Sequence, residues 1–132
     1  RLNCSLAIGD KRRSGNEDRA ELLNIIGEVN NKTVILFDDI IDTGGSLIKV
    51  ANALVDKGVK KIYAACTHGV LSGNAVSDLE ASPIEKLFIT NTIPLSEEKK
   101  QCTKIVQLSI AEMLAIAIKK VHIEESISVL FR

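Results

Sequence analysis

One stretch, Thr33 to Ser46 (TVILFDDIIDTGGS), constrains what this chain can fold into more than any other. Val34 to Phe37 is short, apolar and bounded by turn residues. Such a run predicts a buried strand of a parallel sheet. Asp38, Asp39 and Asp42 follow within five residues, then Thr43, Gly44, Gly45 and Ser46. A helical pattern begins immediately afterwards. That order places the acidic, glycine-rich turn at the carboxyl end of a strand, where open α/β sheets hold their ligands.

The residue types specify the chemistry. Gly44 and Gly45 can take positive φ and let a ligand approach the main chain closely. Consecutive N–H groups there, at the positive end of the next helix, form a nest for an anion. Thr43 and Ser46 add hydroxyl donors. Such a nest suits a phosphate. Asp38 and Asp39 would repel that phosphate, so they suit neighbouring hydroxyls or a hard cation such as Mg²⁺. A phosphate at one end and a diol at the other describes a sugar phosphate. The bland alternative is an acidic turn with an Asp cap. Three acids beside a buried strand are costly unless they have a task.

Composition narrows the class. A length of 132 residues predicts one domain with room for a core. The 17 basic and 17 acidic residues cancel, which argues against nucleic-acid binding by bulk charge. Trp is absent and there is one Tyr, so stacking platforms are scarce. Cys4, Cys66 and Cys102 are odd in number and far apart. They fit core thiols of a reducing compartment better than disulfides or a zinc site, and a cytoplasmic location is expected. No stretch reads as a membrane span or a signal peptide. The chain opens on Arg1 and enters a strand pattern almost directly, so a fragment of something longer is expected.

Along the rest of the chain, Cys4 to Ile8 predicts a strand. Gly9 to Arg19 predicts an exposed loop whose Lys11, Arg12 and Arg13 are either solvated or functional. Glu21 to Val29 is ambiguous: Leu22, Ile25, Ile26 and Val29 fit a helix, but a short strand at 23–28 in a hairpin with the strand from Thr33 is the favoured expectation. Ser46 to Lys57 predicts a helix with Leu47, Val50, Ala51 and Leu54 on one face and Gly58 as its stop. Lys60 to Thr67 predicts a strand ending at His68, which either touches a ligand or bonds a loop carbonyl. A helix from Ser72 to Ala81 is expected, capped by Ser72 or Asn74. Lys86 to Thr90 predicts a strand whose following turn brings Thr90 and Thr92 to the same edge. A helical turn at Ser96 to Gln101 and a strand at Ile105 to Leu108 follow. The last helix, Ser109 to Val121, has a Ser109/Glu112 capping box and an apolar face of Ile110, Met113, Leu114 and Ala117, which predicts Met113 in the core. The alternation gives an α/β, Rossmann-like domain with a largely parallel sheet flanked by helices.

The stretch VILFDDIIDTGGS resembles the phosphoribosyl-pyrophosphate loop of type I phosphoribosyltransferases and of ribose-phosphate pyrophosphokinases. The flanks DKRR at 10–13, THGVLSG at 67–73, TNTIP at 90–94 and SISVLF at 126–131 resemble the C-terminal half of the second family. The resemblance covers nearly the whole chain. It implies the type I phosphoribosyltransferase fold and one C-terminal domain, residues 1–132, of a two-domain enzyme. It implies transfer of the diphosphoryl group of ATP to ribose 5-phosphate, with Mg²⁺. Lys11 and Arg13 would be the catalytic loop residues. Arg13, Asp38, Asp39, Asp42, Thr43, Gly44, Gly45 and Ser46 would hold ribose 5-phosphate, with Asp38 and Asp39 also facing the metal. Ser126, Ser128 and Phe131 would lie near an effector site, in a homo-oligomer such as a hexamer. Where the family carries Pro after its basic cluster, this chain has Ser14. The competing readings are a phosphoribosyltransferase that consumes phosphoribosyl pyrophosphate, and a non-catalytic subunit associated with the synthetase.

Overall fold

The computed structural model describes residues 4–12 and 22–131. Its first two strands, β1 (Ile8–Arg12) and β2 (Leu22–Ile26), pair antiparallel as a separate ribbon. The expected strand at Cys4 to Ile8 is therefore shifted. Residues 4–7 are irregular, and the polar GDKR segment supplies strand pairing instead of an exposed loop. The strand expected near 23–28 exists, but its partner is β1 and not the strand from Thr33.

The remaining strands form one four-stranded parallel sheet: β3 (Thr33–Ile41), β4 (Lys61–Gly69), β5 (Ile84–Thr90) and β6 (Ile105–Leu108), in that spatial order. Helix α1 (Gly45–Asp56) links β3 to β4, and α2 (Ala75–Ala81) links β4 to β5. The two helices bury Ala51, Leu54, Ala75 and Leu79 against Ile62, Ala64, Leu87 and Ile89 of the sheet. Alternation along each strand selects these residues for that face.

The helix ends follow from local chemistry. Gly58 takes φ +74 just beyond α1, and Lys57 and Gly58 donate their N–H groups to Leu54 and Val55. At α2 the C-terminal carbonyl of Leu79 is held by the Ser82 hydroxyl at 2.7 Å and by Lys104 Nζ at 3.1 Å. Helix α3 (Ala111–His122) begins where the Asn91 side chain accepts the Ile110 N–H and the Ser109 hydroxyl accepts the Ala111 N–H. The Ser109 side chain thus acts as a cap one residue earlier than the capping box requires. A 3₁₀ turn, Ile127–Phe131, ends the described chain.

The opposite face of the sheet carries Ile35, Phe37, Tyr63, Phe88 and Leu108, in register across the strands. Phe37 is 70% exposed there. Helix α3 buries none of its residues among the described ones, and Met113 is exposed rather than in the core. Its apolar spacing is helical as expected; what differs is that Ile110 and Ala117 are only half-buried and Met113 and Leu114 are exposed.

Candidate functional site

Strand β3 continues through its two acids before the chain turns, so Asp38 and Asp39 project at the carboxyl edge of the sheet. Both are exposed. Asp38 Oδ1 accepts the Asp39 N–H at 2.9 Å, and Asp39 Oδ1 accepts the Ile40 N–H at 2.8 Å. Each carboxylate thus uses one oxygen to fix itself locally, and no bond to the other is seen among the described residues.

The glycine pair divides its work. Gly44 is left-handed at φ 76 and forms the N-cap of α1 without any side-chain cap. Gly45 is not left-handed; it is the first helical residue. A methyl group built on Gly45 meets nothing within 4 Å, whereas one on Gly44 meets Ile41, Ala75 and Ile48 at ordinary contact distance. Gly44 is therefore required by backbone conformation. Gly45 instead keeps space open outside the turn. The first helical bond runs from the Ile48 N–H to the Gly44 carbonyl at 3.0 Å. The N–H groups of Gly45, Ser46 and Leu47 precede it and have no intrahelical acceptor, as at every helix start. Thr43 and Ser46 stand exposed beside them. Orphan donors at the positive end of a helix are suited to an anion.

Asp42 differs from its neighbours. Its Oδ1 accepts a short hydrogen bond from the Ser72 hydroxyl. The main chain reinforces the link: Val70 and Leu71 donate to the Ile41 carbonyl at 3.0 and 3.2 Å, and Ser72 donates to the Asp42 carbonyl at 3.1 Å.

A second cluster lies at the same edge. The Thr90 hydroxyl donates to the Thr67 carbonyl at 2.7 Å, and the Thr92 hydroxyl lies 3.0 Å from that carbonyl. His68 Nδ1 is 2.9 Å from the Thr92 hydroxyl. His68 therefore meets a side-chain hydroxyl, and not a loop carbonyl. A cavity of about 210 Å³ on the bare face reaches from Phe37 and Phe88 to Asp38, Thr67 and Thr90, and does not include residues 43–46. Cys66 lines it too. Burial pushes its thiol up from the ordinary 9.0; the negative charge of Asp38 adds to this and the Ile41 main chain opposes it. Cys66 is a protonated core thiol at neutral pH and not a nucleophile.

The structure brings Asp38, Asp39, Asp42, Thr43, Gly44, Gly45 and Ser46 together at one edge. Lys11 lies on β1, with Leu23 opposite it on β2. Arg13 lies outside the described residues. In the terminal segment, the Ser126 hydroxyl accepts the Ser128 N–H at 3.2 Å and Phe131 is exposed. Among the described residues no three His, Cys, Asp or Glu side chains converge as a metal cage. Asp38 and Asp39 are both exposed, but as consecutive residues of β3 their side chains leave opposite faces of the strand; either one fits Mg²⁺, which typically takes one or two protein carboxylates and completes its shell with substrate oxygens and water. Thr90 and Thr92 reach this edge as expected, whereas Ser72 was expected only as a helix cap. No spacing rule links positions 42 and 72.

Comparison with known proteins supplies the context. The model of a family described as "Phosphoribosyl synthetase-associated domain" matches residues 15–132. A ribose-phosphate pyrophosphokinase of Bacillus caldolyticus is 50% identical over 131 residues, which is 99% of this chain and 41% of that protein. One from Caldanaerobacter subterraneus is 52% identical, with the same coverage. A crystal structure of phosphoribosylpyrophosphate synthetase from Mycobacterium smegmatis superposes with a TM-score of 0.75 at 38% identity, covering 80% of this chain and 35% of that one. The chain thus spans about two fifths of the length of the curated relatives it matches.

Proposed function

Since the chain belongs to the phosphoribosyl synthetase-associated domain family, we propose that it is the C-terminal, phosphoribosyltransferase-like domain of a ribose-phosphate pyrophosphokinase. The reaction moves the β,γ-diphosphoryl group of ATP to the 1-hydroxyl of ribose 5-phosphate. The 1-oxygen bonds to the β-phosphorus, the bond between the α- and β-phosphoryl groups breaks, AMP departs, and the hydroxyl proton is released. The names of the relatives support this reading. The observation that carries it is the uncapped start of α1 beside two half-free carboxylates.

In this reading the N–H groups and hydroxyls of residues 43–46 bind the 5-phosphate. The free oxygens of Asp38 and Asp39 accept ribose hydroxyls and hold Mg²⁺, which supplies neutralising charge at the transferring phosphates. Lys11 and Arg13 stabilise the charge that develops during transfer, so their contribution falls on the transition state. Phosphoryl transfer depends mainly on positioning and charge stabilisation, and these residue types supply both. We place the protein in the cytoplasm and in a homo-oligomer. No described helix is long and apolar enough to cross a membrane. Ser126, Ser128 and Phe131 are proposed to border an effector site.

The test is AMP formation from ATP, Mg²⁺ and ribose 5-phosphate by the full-length polypeptide. Production of AMP and phosphoribosyl pyrophosphate in equal amounts is expected. Substrate binding without AMP formation would overturn the catalytic reading and favour a synthetase-associated, non-catalytic subunit.

A further inference from the structure

We propose that Ser72 is a positioning residue for the phosphate-binding turn: its hydroxyl captures the Asp42 carboxylate and keeps that carboxylate from occupying the donors meant for phosphate. The inference rests on the sugar-phosphate reading above and adds a residue to it.

The Ser72 side chain is not used where its sequence position would suggest. Helix α2 starts at Ala75 with Asn74 as N-cap, and no side chain caps it. The Ala75 N–H bonds the main-chain carbonyl of Ser72 at 3.1 Å, not the hydroxyl. A serine hydroxyl carries one proton. Here that proton goes to Asp42, thirty positions away in sequence. Three main-chain bonds from Val70, Leu71 and Ser72 fasten the same two loops. Leu71, between them, is almost wholly buried yet sits at φ 54. A non-glycine residue keeps that conformation only where its surroundings impose it.

The consequence is electrostatic. Asp42 is the residue just before the turn Thr43–Ser46. An aspartate in that place readily bonds main-chain N–H groups two or three positions ahead. Those are the N–H groups at the start of α1. Bonded there, the carboxylate would fill the nest with the protein's own anion. In the structure it does not: the helix start has no side-chain cap, and the Asp42 oxygen is held by Ser72 instead. The hydroxyl thus keeps the nest open as well as holding its shape.

The experiment uses the full-length polypeptide and reads three quantities: Kd for ribose 5-phosphate by calorimetry, KM and kcat from AMP formation, and Tm. Ser72→Ala is expected to raise both Kd and KM about tenfold, the scale of one hydrogen bond to a charged group, with kcat within about twofold. Ser72→Thr keeps the hydroxyl and is expected to stay within about twofold of wild type. A Ser72→Ala protein with a lower Tm but unchanged Kd and KM would make Ser72 merely structural and overturn the proposal. If Ser72→Ala does not fold, Ser72→Cys replaces it, since a thiol is a weak donor; the same rise is expected, and unchanged Kd overturns the proposal. Wild type that binds neither ribose 5-phosphate nor inorganic phosphate would overturn the sugar-phosphate reading first, and this inference with it.

Discussion

The parallel sheet and the antiparallel ribbon hold the two halves of the candidate site in different ways. The acidic and glycine-rich half sits at the end of β3, whose neighbours in the sheet are packed on α1 and α2. Its donors and carboxylates are fixed by main-chain bonds before any ligand arrives. Lys11 lies on a two-stranded ribbon whose paired ends, Ile8 and Ile26, are both about half exposed. Two strands alone are marginally stable in water. The difference teaches a division of labour: the acidic turn is preorganised by the sheet, while the described anchor of the ribbon to the core is Ile25, which packs against it partly buried.

The most severe test of that division is kinetic. In the full-length polypeptide, Lys11→Ala is expected to lower kcat on the order of 10²–10³ and to change KM for ribose 5-phosphate less than about threefold. Arg13→Ala should behave alike. Asp38→Ala removes a contact already made in the ground state, so its KM should rise as well. Near-normal kcat for Lys11→Ala would make the basic cluster a solvated charge run.

Stability should divide along the same line. Leu87 is 1% exposed between β4 and β6, and Leu87→Ala is expected to cost about 2–5 kcal/mol in urea unfolding. Ile26→Ala, at the end of the ribbon, should cost less than Leu87→Ala, about 1 kcal/mol, because about half of its side chain stays in water on folding. Equal losses would show that ribbon and sheet form one core.

A smaller effect separates phosphate binding from folding. Gly45 is neither left-handed nor crowded, so Gly45→Val should leave Tm nearly unchanged. Its side chain would stand in the space assigned to the phosphate. Calorimetry should show ribose 5-phosphate affinity lowered about tenfold or more, the scale of losing a charge-assisted contact. Unchanged affinity would move the phosphate elsewhere.

Cys66 gives the smallest effect. Its folded-state pKa is raised, so the folded chain holds the thiol proton more tightly than the unfolded chain does. The sign follows: this contribution is fully present below the ordinary value of 9.0 and is lost as pH rises from there through the higher folded-state value. Tm should therefore fall more steeply above pH 9 in wild type than in Cys66→Ala, which lacks the group. Parallel curves would show that the thiol contributes nothing.

The sequence was legible where burial writes a pattern. Val34 to Phe37 is a parallel strand as expected but not a buried one: Val34 and Leu36 pack partly buried against the core while Ile35 and Phe37 are exposed; the α1 stripe declared itself because Ala51 and Leu54 are buried, with Leu47 and Val50 packed beside them. The polar GDKR strand did not, because a run of glycine and charged residues has no apolar alternation to display. Pairing partners were equally hidden: β2 was visible as a strand, but nothing local chooses β1 over β3. Met113 illustrates the converse. Its helical spacing was right, and only the absence of a cover among the described residues reverses its predicted burial. The site divided in the same manner. The turn is contiguous and could be read; the Ser72 to Asp42 bond joins residues thirty positions apart and could not.

The strand order of the parallel sheet equals its order along the chain. Each new strand then finds its partner in the strand made just before it, so the sheet can assemble by addition in one direction. Pairing of strands that are near neighbours in the chain keeps each loop to be closed short. β3 stands at one end of that series. The strand that presents the acids is therefore an edge strand, and among the described residues its outer edge has no partner in the four-stranded sheet.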